Sequence, residues 1–439
     1  MNGSPSDRRS FAGRSHRGGP PPLGALLVAA LLAAAPPASA QSFQLGPVHG
    51  DLMGQAIGLV STAAPLPHDR RFTEFRVVQP AVSLGLVALD GHLRFRGTLD
   101  EEGWTMPGGE LTPGAYGEGF VDRRHPHTYA HELMLTAHDL LAPVGAPVRV
   151  SLGFGKGFVA FGSDDPMGRP VERYPVNHHL AQILEREVAI VGVAAGPAAF
   201  EVSWFNGDEP TGPAVWPNGR RFGDSYSLRG TVAPVRGVEA QLSYAEVKSP
   251  EHRDGGGLDQ EKWSASVRVA REWAGRPWYG LVEYARTSEG GGAFVFGSWL
   301  AEGATDLGAV RPYLRLERTD RPEEARTADP FRTQWPPLDN SLNGITRWTI
   351  VTAGARLRGV SLGRRLAVRP FAEGSVAAVR TITGAFDPAS WYGGSRITSL
   401  TLGLRLDWGM EGHRMGRYAT GLTDDGERMP GMPGMGGAR

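Results

Sequence analysis

From Ile397 to Trp408 the chain reads ITSLTLGLRLDW. From Leu400 on, every second residue is apolar: Leu400, Leu402, Leu404, Leu406 and Trp408. Thr401, Gly403, Arg405 and Asp407 stand between them. Side chains on a strand alternate faces, so the pattern predicts a β-strand with one apolar and one polar face. The pattern recurs. Trp263, Ala265, Val267 and Val269 alternate with Lys262, Ser264, Ser266 and Arg268. Val148, Val150, Leu152 and Phe154 alternate with Arg149, Ser151, Gly153 and Gly155. Such strands suit a soluble sandwich, which buries its apolar faces against each other. They also suit a transmembrane barrel, with apolar faces toward lipid and polar faces toward water inside.

Strands are expected at 75–88, 92–100, 129–140, 148–158, 188–195, 199–205, 226–232, 238–245, 262–271, 278–284, 294–300, 310–317, 348–358, 366–378 and the closing stretch. That is about fifteen strands of roughly ten residues, the length a tilted membrane strand needs. Single-chain bacterial barrels have even counts, so an antiparallel barrel of about 14–16 strands is expected. Tight turns are read at 234–237 and 274–276, and long loops at 206–223, 246–261 and 318–345. This alternation of short and long connections is the barrel expectation. Pro80, Pro312 and Pro370 fall inside expected strands and are assigned to strand ends or bulges. Residues 159–185 break the rhythm with turn signals and a short helical stretch near His178–Leu184.

Composition narrows the choice. Zero cysteines exclude disulfides and cysteine chemistry. A net charge of zero argues against a nucleic-acid partner. Arg8, Arg9, Arg14 and Arg17 precede the apolar run LGALLVAALLAAA and an Ala38-Ser39-Ala40 site, the pattern of a cleaved export signal over residues 1–40. Residues 41–74 have weak periodicity and read as a leader or an extra strand. The barrel is assigned to 75–409, and the Gly-, Met- and Pro-rich tail 410–439 is expected to be disordered.

With its export signal, lack of cysteine, two-faced strands and one long insertion after an early strand, the chain resembles bacterial outer-membrane porins over about residues 75–409. The resemblance is one of pattern and carries no residue roles. It implies an outer-membrane location, lipid around the barrel, a homotrimer, and a loop folded into the lumen, here 159–185 with Asp164, Asp165, His178 and His179 at the constriction.

The faces assigned inward carry Arg94, Arg96, Arg149, Arg229, Lys262, Arg268, Arg311, Arg315, Arg356, Arg358, Arg369 and Arg405, opposed by acids that include Glu283, Glu317 and Glu373. A polar lining with a basic excess predicts passive diffusion of small polar solutes or ions with a modest anion preference. Arg311, Arg315, Arg356 and Arg358 are expected to form a local basic ladder. Cross-strand pairing would cancel the excess.

Other chemistry is weaker. His125, His127 and His131 in RRHPHTYAHE have metal-like spacing, but a polar loop leading into a strand, with the histidines facing water, is the simpler reading. Neighbouring His178 and His179 point in different directions, which argues against joint ligation. Met429, Met432 and Met435 with His413 and Met415 suggest a soft-ion site, against the simpler reading of a flexible tail. Phosphate-loop, zinc-protease and serine-hydrolase motifs are absent, and Ser243 and Ser266 have no histidine at a suggestive spacing. The expectation is a channel rather than an enzyme, with no cofactor or metal. The alternative is a secreted soluble β-sandwich or propeller that binds carbohydrate or a protein.

Overall fold

The computed structural model describes residues 42–64, 72–105, 127–141, 146–324, 342–362, 366–409 and 413–419. These form one antiparallel sheet closed on itself. Its long strands are β1 (Val48–Ala64), β2 (Phe72–Ala88), β3 (Leu93–Asp100), β4 (Ala130–Ala137), β5 (Val148–Gly157), β6 (Arg186–Ala195), β7 (Ala198–Phe205) and β8 (Ser225–Val235). They continue through β9 (Val238–Val247), β10 (Gln260–Trp273), β11 (Arg276–Glu289), β12 (Phe294–Thr305), β13 (Val310–Glu324), β14 (Leu342–Leu357), β15 (Leu366–Gly384) and β16 (Arg396–Trp408). Each pairs with the next, and β16 returns to β1 with Thr401 opposite Ser61 and Leu404 opposite Gly58. The short strands Ser42–Leu45 and Val360–Leu362 extend the hairpins of β1 and β15. The result is a closed sixteen-stranded barrel. A sandwich or propeller would bury its apolar faces in a core between sheets; here those faces point outward.

The closing strand shows the two faces directly. Leu400, Leu402 and Leu404 are 54%, 57% and 49% exposed, while Thr401 and Arg405 are each 1% exposed. Outside, Tyr226, Tyr244 and Trp263 form a belt near the long-loop rim, with ring centroids 6.2 and 4.7 Å apart, and Tyr284 meets Trp299 at 4.7 Å. Trp273 and Trp278 meet at 5.8 Å near the other rim. From Trp263 to Trp273, ten residues of β10 at about 3.3 Å each and a tilt of about 40° span about 25 Å, the height of a barrel's apolar band.

Turn chemistry separates the rims. Ala274 and Gly275, with φ of 51° and 71°, make the two-residue β10–β11 connection. Positive φ at both central residues defines a turn whose twist matches the strands, and glycine adopts it without strain. β6–β7 and β8–β9 are joined equally tightly at the same rim. β1 begins and β16 ends there, so the chain enters and leaves the barrel wall at the short-turn rim. The prolines lie where the ladder tolerates them. Pro80 sits at a bulge beside Gln79, whose φ is 50°. Pro312 lies just beyond the last β12–β13 pair, Ala304 with Tyr313. Pro370 lies in the gap between Phe371–Arg356 and Val368–Val360.

β1 falls within residues 41–74, the stretch whose pattern left a leader or an extra strand open. Its inward positions include Ile57 and Leu59, both buried, so apolar residues fall on both faces and the alternation is blurred. Those residues pack against a core inside the barrel. Residues 158–185, between β5 and β6, cross the lumen and bring Phe158, Val159, Phe161, Met167, Tyr174, Ile183 and Leu184 against Val78, Met134, Ile190 and Phe205 of the wall. The tail expectation is corrected for its described part. Residues 413–419 do not trail away from the barrel but re-enter it, and Met415, Tyr418 and Ala419 join the same core.

Candidate functional site

The lumen segment is tied to the wall around most of the circumference. The Ala160 amide donates to Ser203 Oγ of β7 and the Gly162 amide to Ser243 Oγ of β9. Ser163 and Asn177 both donate to Glu283 of β11, and the Val176 amide donates to Glu317 Oε1 of β13 at 2.7 Å. Arg173 donates to Ser375 Oγ of β15. Glu172 lies between Arg356 of β14 at 2.7 Å and Arg405 of β16 at 3.1 Å, and Arg405 also reaches the Met167 carbonyl. Lys262 of β10 donates to the His179 carbonyl. These bonds satisfy backbone and charged groups that burial would otherwise leave at a cost.

The C-terminal segment meets it from the opposite rim. Arg414 donates to Asp164 and Glu239 at 2.6–3.0 Å, and Arg417 donates to Glu239 Oε1 at 2.6 Å. Tyr418 Oη accepts from the Phe158 amide, and Arg229 donates to the Gly416 carbonyl. Burial opposes ionisation of Asp164, yet Arg414, Arg268 and Arg417 hold its carboxyl well below the usual carboxylate range. Burial, reinforced by Arg96, lowers His413 to about 3. Burial, with Arg94 and Arg149 nearby, likewise lowers His138 to about 3. A cavity of about 50 Å3 remains between the C-terminal segment and the β2–β4 wall, with Arg94, Arg96, Glu132, Thr136 and His138 on its wall side.

The charges assigned to the lining mostly meet opposite charges. Arg229 grips Glu201 directly across β7–β8 with bonds of 2.6 and 2.9 Å. Arg315 binds Glu302 across β12–β13. Arg268 lies 3.2 Å from Asp164, Arg96 3.2 Å from Asp51, and Arg369 3.7 Å from Asp407. Glu373 accepts from Tyr313 Oη. Arg311 and Arg356 are directly opposite, but Arg311 pairs with Asp306 and Arg356 with Glu172. The basic ladder is therefore a row of ion pairs. Arg358 is a correction: it lies past the end of β14, in the turn, and is exposed rather than channel-lining.

Asp165 caps its own turn through the Met167 amide and faces His178 at 3.5 Å, and His179 faces Glu209 at 3.3 Å. His127 and His131 stack with ring centroids 4.7 Å apart, beside His178. His125 and Met429, Met432 and Met435 lie outside the described residues. The sequence pattern already places Glu239 as an inward-facing acid, but it does not single out Arg169, Glu172, Arg173, Arg414 and Arg417. Their signal was present as closely spaced charges of both signs within the rhythm break, and as Arg414, Arg417 and Tyr418 within an otherwise Gly- and Met-rich tail.

No known family's sequence profile matches the chain, and no curated protein matches it. Solved structures do. Salmonella typhi OmpF, in complex with daunomycin, aligns at a TM-score of 0.50 and 9% identity, covering 84% of this chain and 100% of that one. The anion-selective porin from Comamonas acidovorans aligns at 0.49 and 11% identity, covering 82% of this chain and 100% of that one. OmpT of Vibrio cholerae aligns at 0.46 and 10%, covering 84% and 100%. Closure of sixteen antiparallel strands around a segment inserted into the lumen, together with the OmpF alignment, gives this chain the fold of the outer-membrane porins.

Proposed function

We propose that this protein is an outer-membrane channel for passive diffusion of small polar solutes or ions, narrowed by segments from both rims. The observation that carries this reading is the polar, charged inner wall of a barrel whose outer band has the height of a bilayer. On this reading residues 1–40 are removed on export and the barrel sits in lipid as a non-enzymatic pore. β3 and β4, eight residues each, are short for that band, and a low wall is where copies would meet as a homotrimer. Chemical cross-linking in detergent reports the copy number, and a monomer-only pattern would remove the trimer from the reading.

Ion pairing cancels much of the lining charge, so a modest anion preference has its best support at the short-turn mouth. There Arg94, Arg96 and Arg149 are close enough to act on His138 and His413. Arginines at a narrow, low-dielectric opening raise local anion occupancy. The test is the reversal potential of the reconstituted protein under a salt gradient. Wild type should favour anions, and R94Q/R149Q should move toward neutrality. A pore with no conductance overturns the channel, while a cation-selective pore overturns only the preference.

A further inference from the structure

Among the described residues, buried metal-ligating side chains gather where the lumen segment meets the long-loop end of the wall. Asp100 ends β3, His127 lies just before β4, and His131 is the second residue of β4. His178 begins α1 (His178–Ala181), a single turn within the lumen segment. All four are buried: His131 and Asp100 are 0% exposed, His178 is 1% and His127 is 2%. Asp100, His127 and His131 each offer a ligand atom within 4.8 Å of the others, and His127, His178 and His179 form a second such group that shares His127.

We infer that Asp100, His127, His131 and His178 form a binding site for a divalent transition-metal cation of the zinc class, pinning the lumen segment to the barrel wall. The donor set is three imidazoles and a carboxylate, which suits zinc in four-coordinate geometry. Tetrahedral bonds of about 2.0–2.1 Å place ligands about 3.3 Å apart, so the side chains close by roughly 1.5 Å on binding. The surroundings have the form that holds metal-bound histidines. His131 Nδ1 is 3.0 Å from Glu185 Oε1, and Glu185 is itself fixed by the Thr128 amide and hydroxyl. A carboxylate on one ring nitrogen fixes the tautomer that presents the other nitrogen to a metal. That other nitrogen, His131 Nε2, is buried and makes no hydrogen bond, an arrangement that otherwise costs free energy. Asp165 Oδ2 lies 3.5 Å from His178 Nε2, a buried carboxylate beside that ring. Asp100, Glu102, Asp165 and Glu185 outnumber the buried Lys156, which donates to Thr128 beside Glu185, so the pocket keeps an acidic excess that favours a cation.

The experiment uses the full mature chain in detergent, stripped with EDTA and titrated with Zn2+ alone by calorimetry, with Co2+ as a spectroscopic substitute. Wild type should take up one ion per barrel, and Co2+ should give the visible absorption of a four-coordinate N/O site. H131A and the conservative D100N should each weaken binding tenfold or more, while H252A in the β9–β10 loop should leave it unchanged. Each variant is first checked for the gel shift of a folded barrel on heating. If H131A does not fold, D100N and H178Q carry the test. Absence of stoichiometric uptake, or equal uptake by wild type and every folded cluster variant, overturns the site.

Discussion

Leu404 and Arg405 are adjacent on β16, point to opposite faces, and should fail in different ways. Leu404 is four residues from Trp408. At about 3.3 Å per residue and a tilt of about 40°, it lies about 10 Å inside the rim of a band about 25 Å tall, close to its middle. An arginine there should cost the barrel about 2–4 kcal/mol. The sequence pattern alone makes R405L the mild partner of that change, but the contacts say otherwise. Arg405 is buried and bonds Glu172, Gln55 and the Met167 carbonyl. Removing it leaves Glu172 with Arg356 and strips the lumen segment of one of its charged anchors. Breaking one side of a buried ion pair costs about 3–5 kcal/mol. The retained Arg356 bond puts the loss near the lower end, about 3 kcal/mol, or roughly a hundredfold in the docked-to-undocked ratio of the segment. That loss falls on the segment, because β16 keeps its ladders with β15 and β1. L404R should lower the denaturant midpoint of the heat-modifiable band with conductance per folded channel unchanged. R405L should leave that midpoint nearly unchanged but raise conductance and expose the 158–185 segment to protease. Equal loss of barrel stability in both variants would refute the assignment of faces. A folded R405L channel with wild-type conductance and protease resistance would refute the anchoring.

Truncation after Gly409 removes Arg414, Arg417 and Tyr418 from the lumen and should raise single-channel conductance in an intact barrel; an unchanged value would place residues 413–419 outside the conduction path. Acid should partly reproduce this effect. His413, packed against Arg96 and the acidic Asp164, is lowered to about 3 when docked and returns toward about 6.5 when released. The released state therefore binds more protons, and docking weakens as pH falls from about 6.5 toward about 3, by up to tenfold per pH unit for one proton. Asp164 has a linkage of the same sign, displaced to lower pH: its value is also depressed on docking, so the released carboxyl takes up a proton first and Asp164 weakens docking further only below about 4. Conductance should thus rise on mild acidification in wild type and not in H413Q, and the same pH response in both would show that another group controls release.

Strand existence was legible wherever the lumen side of a strand faces water or a polar partner. β10 and β16 alternate cleanly because their inward residues are Lys262, Ser264 and Ser266, or Thr401, Arg405 and Asp407. β1 stayed open between a leader and an extra strand for the converse reason. Its inward Ile57 and Leu59 belong to the same core as Phe158 and Val159 of the crossing segment, and period-2 reading assumes that one face is wet. The same crossing segment explains why the charge count misled. Arg315 and Arg356 read as a basic ladder in sequence, but their partners Glu302 and Glu172 come from a neighbouring strand and from the lumen segment. A pairing between residues 184 positions apart leaves no local signature. The tail was hidden by composition. Glycine and methionine dominate it, yet Arg414, Arg417 and Tyr418 find Asp164, Glu239 and Phe158 only once the barrel has brought them within reach. What the sequence could not express is that this lumen has its own hydrophobic core. Tyr174, Met167 and Met415 pack within a space that strand patterning assigns to water. The barrel wall follows from alternation; how narrow the channel is follows from two segments whose residues are chosen to fit each other.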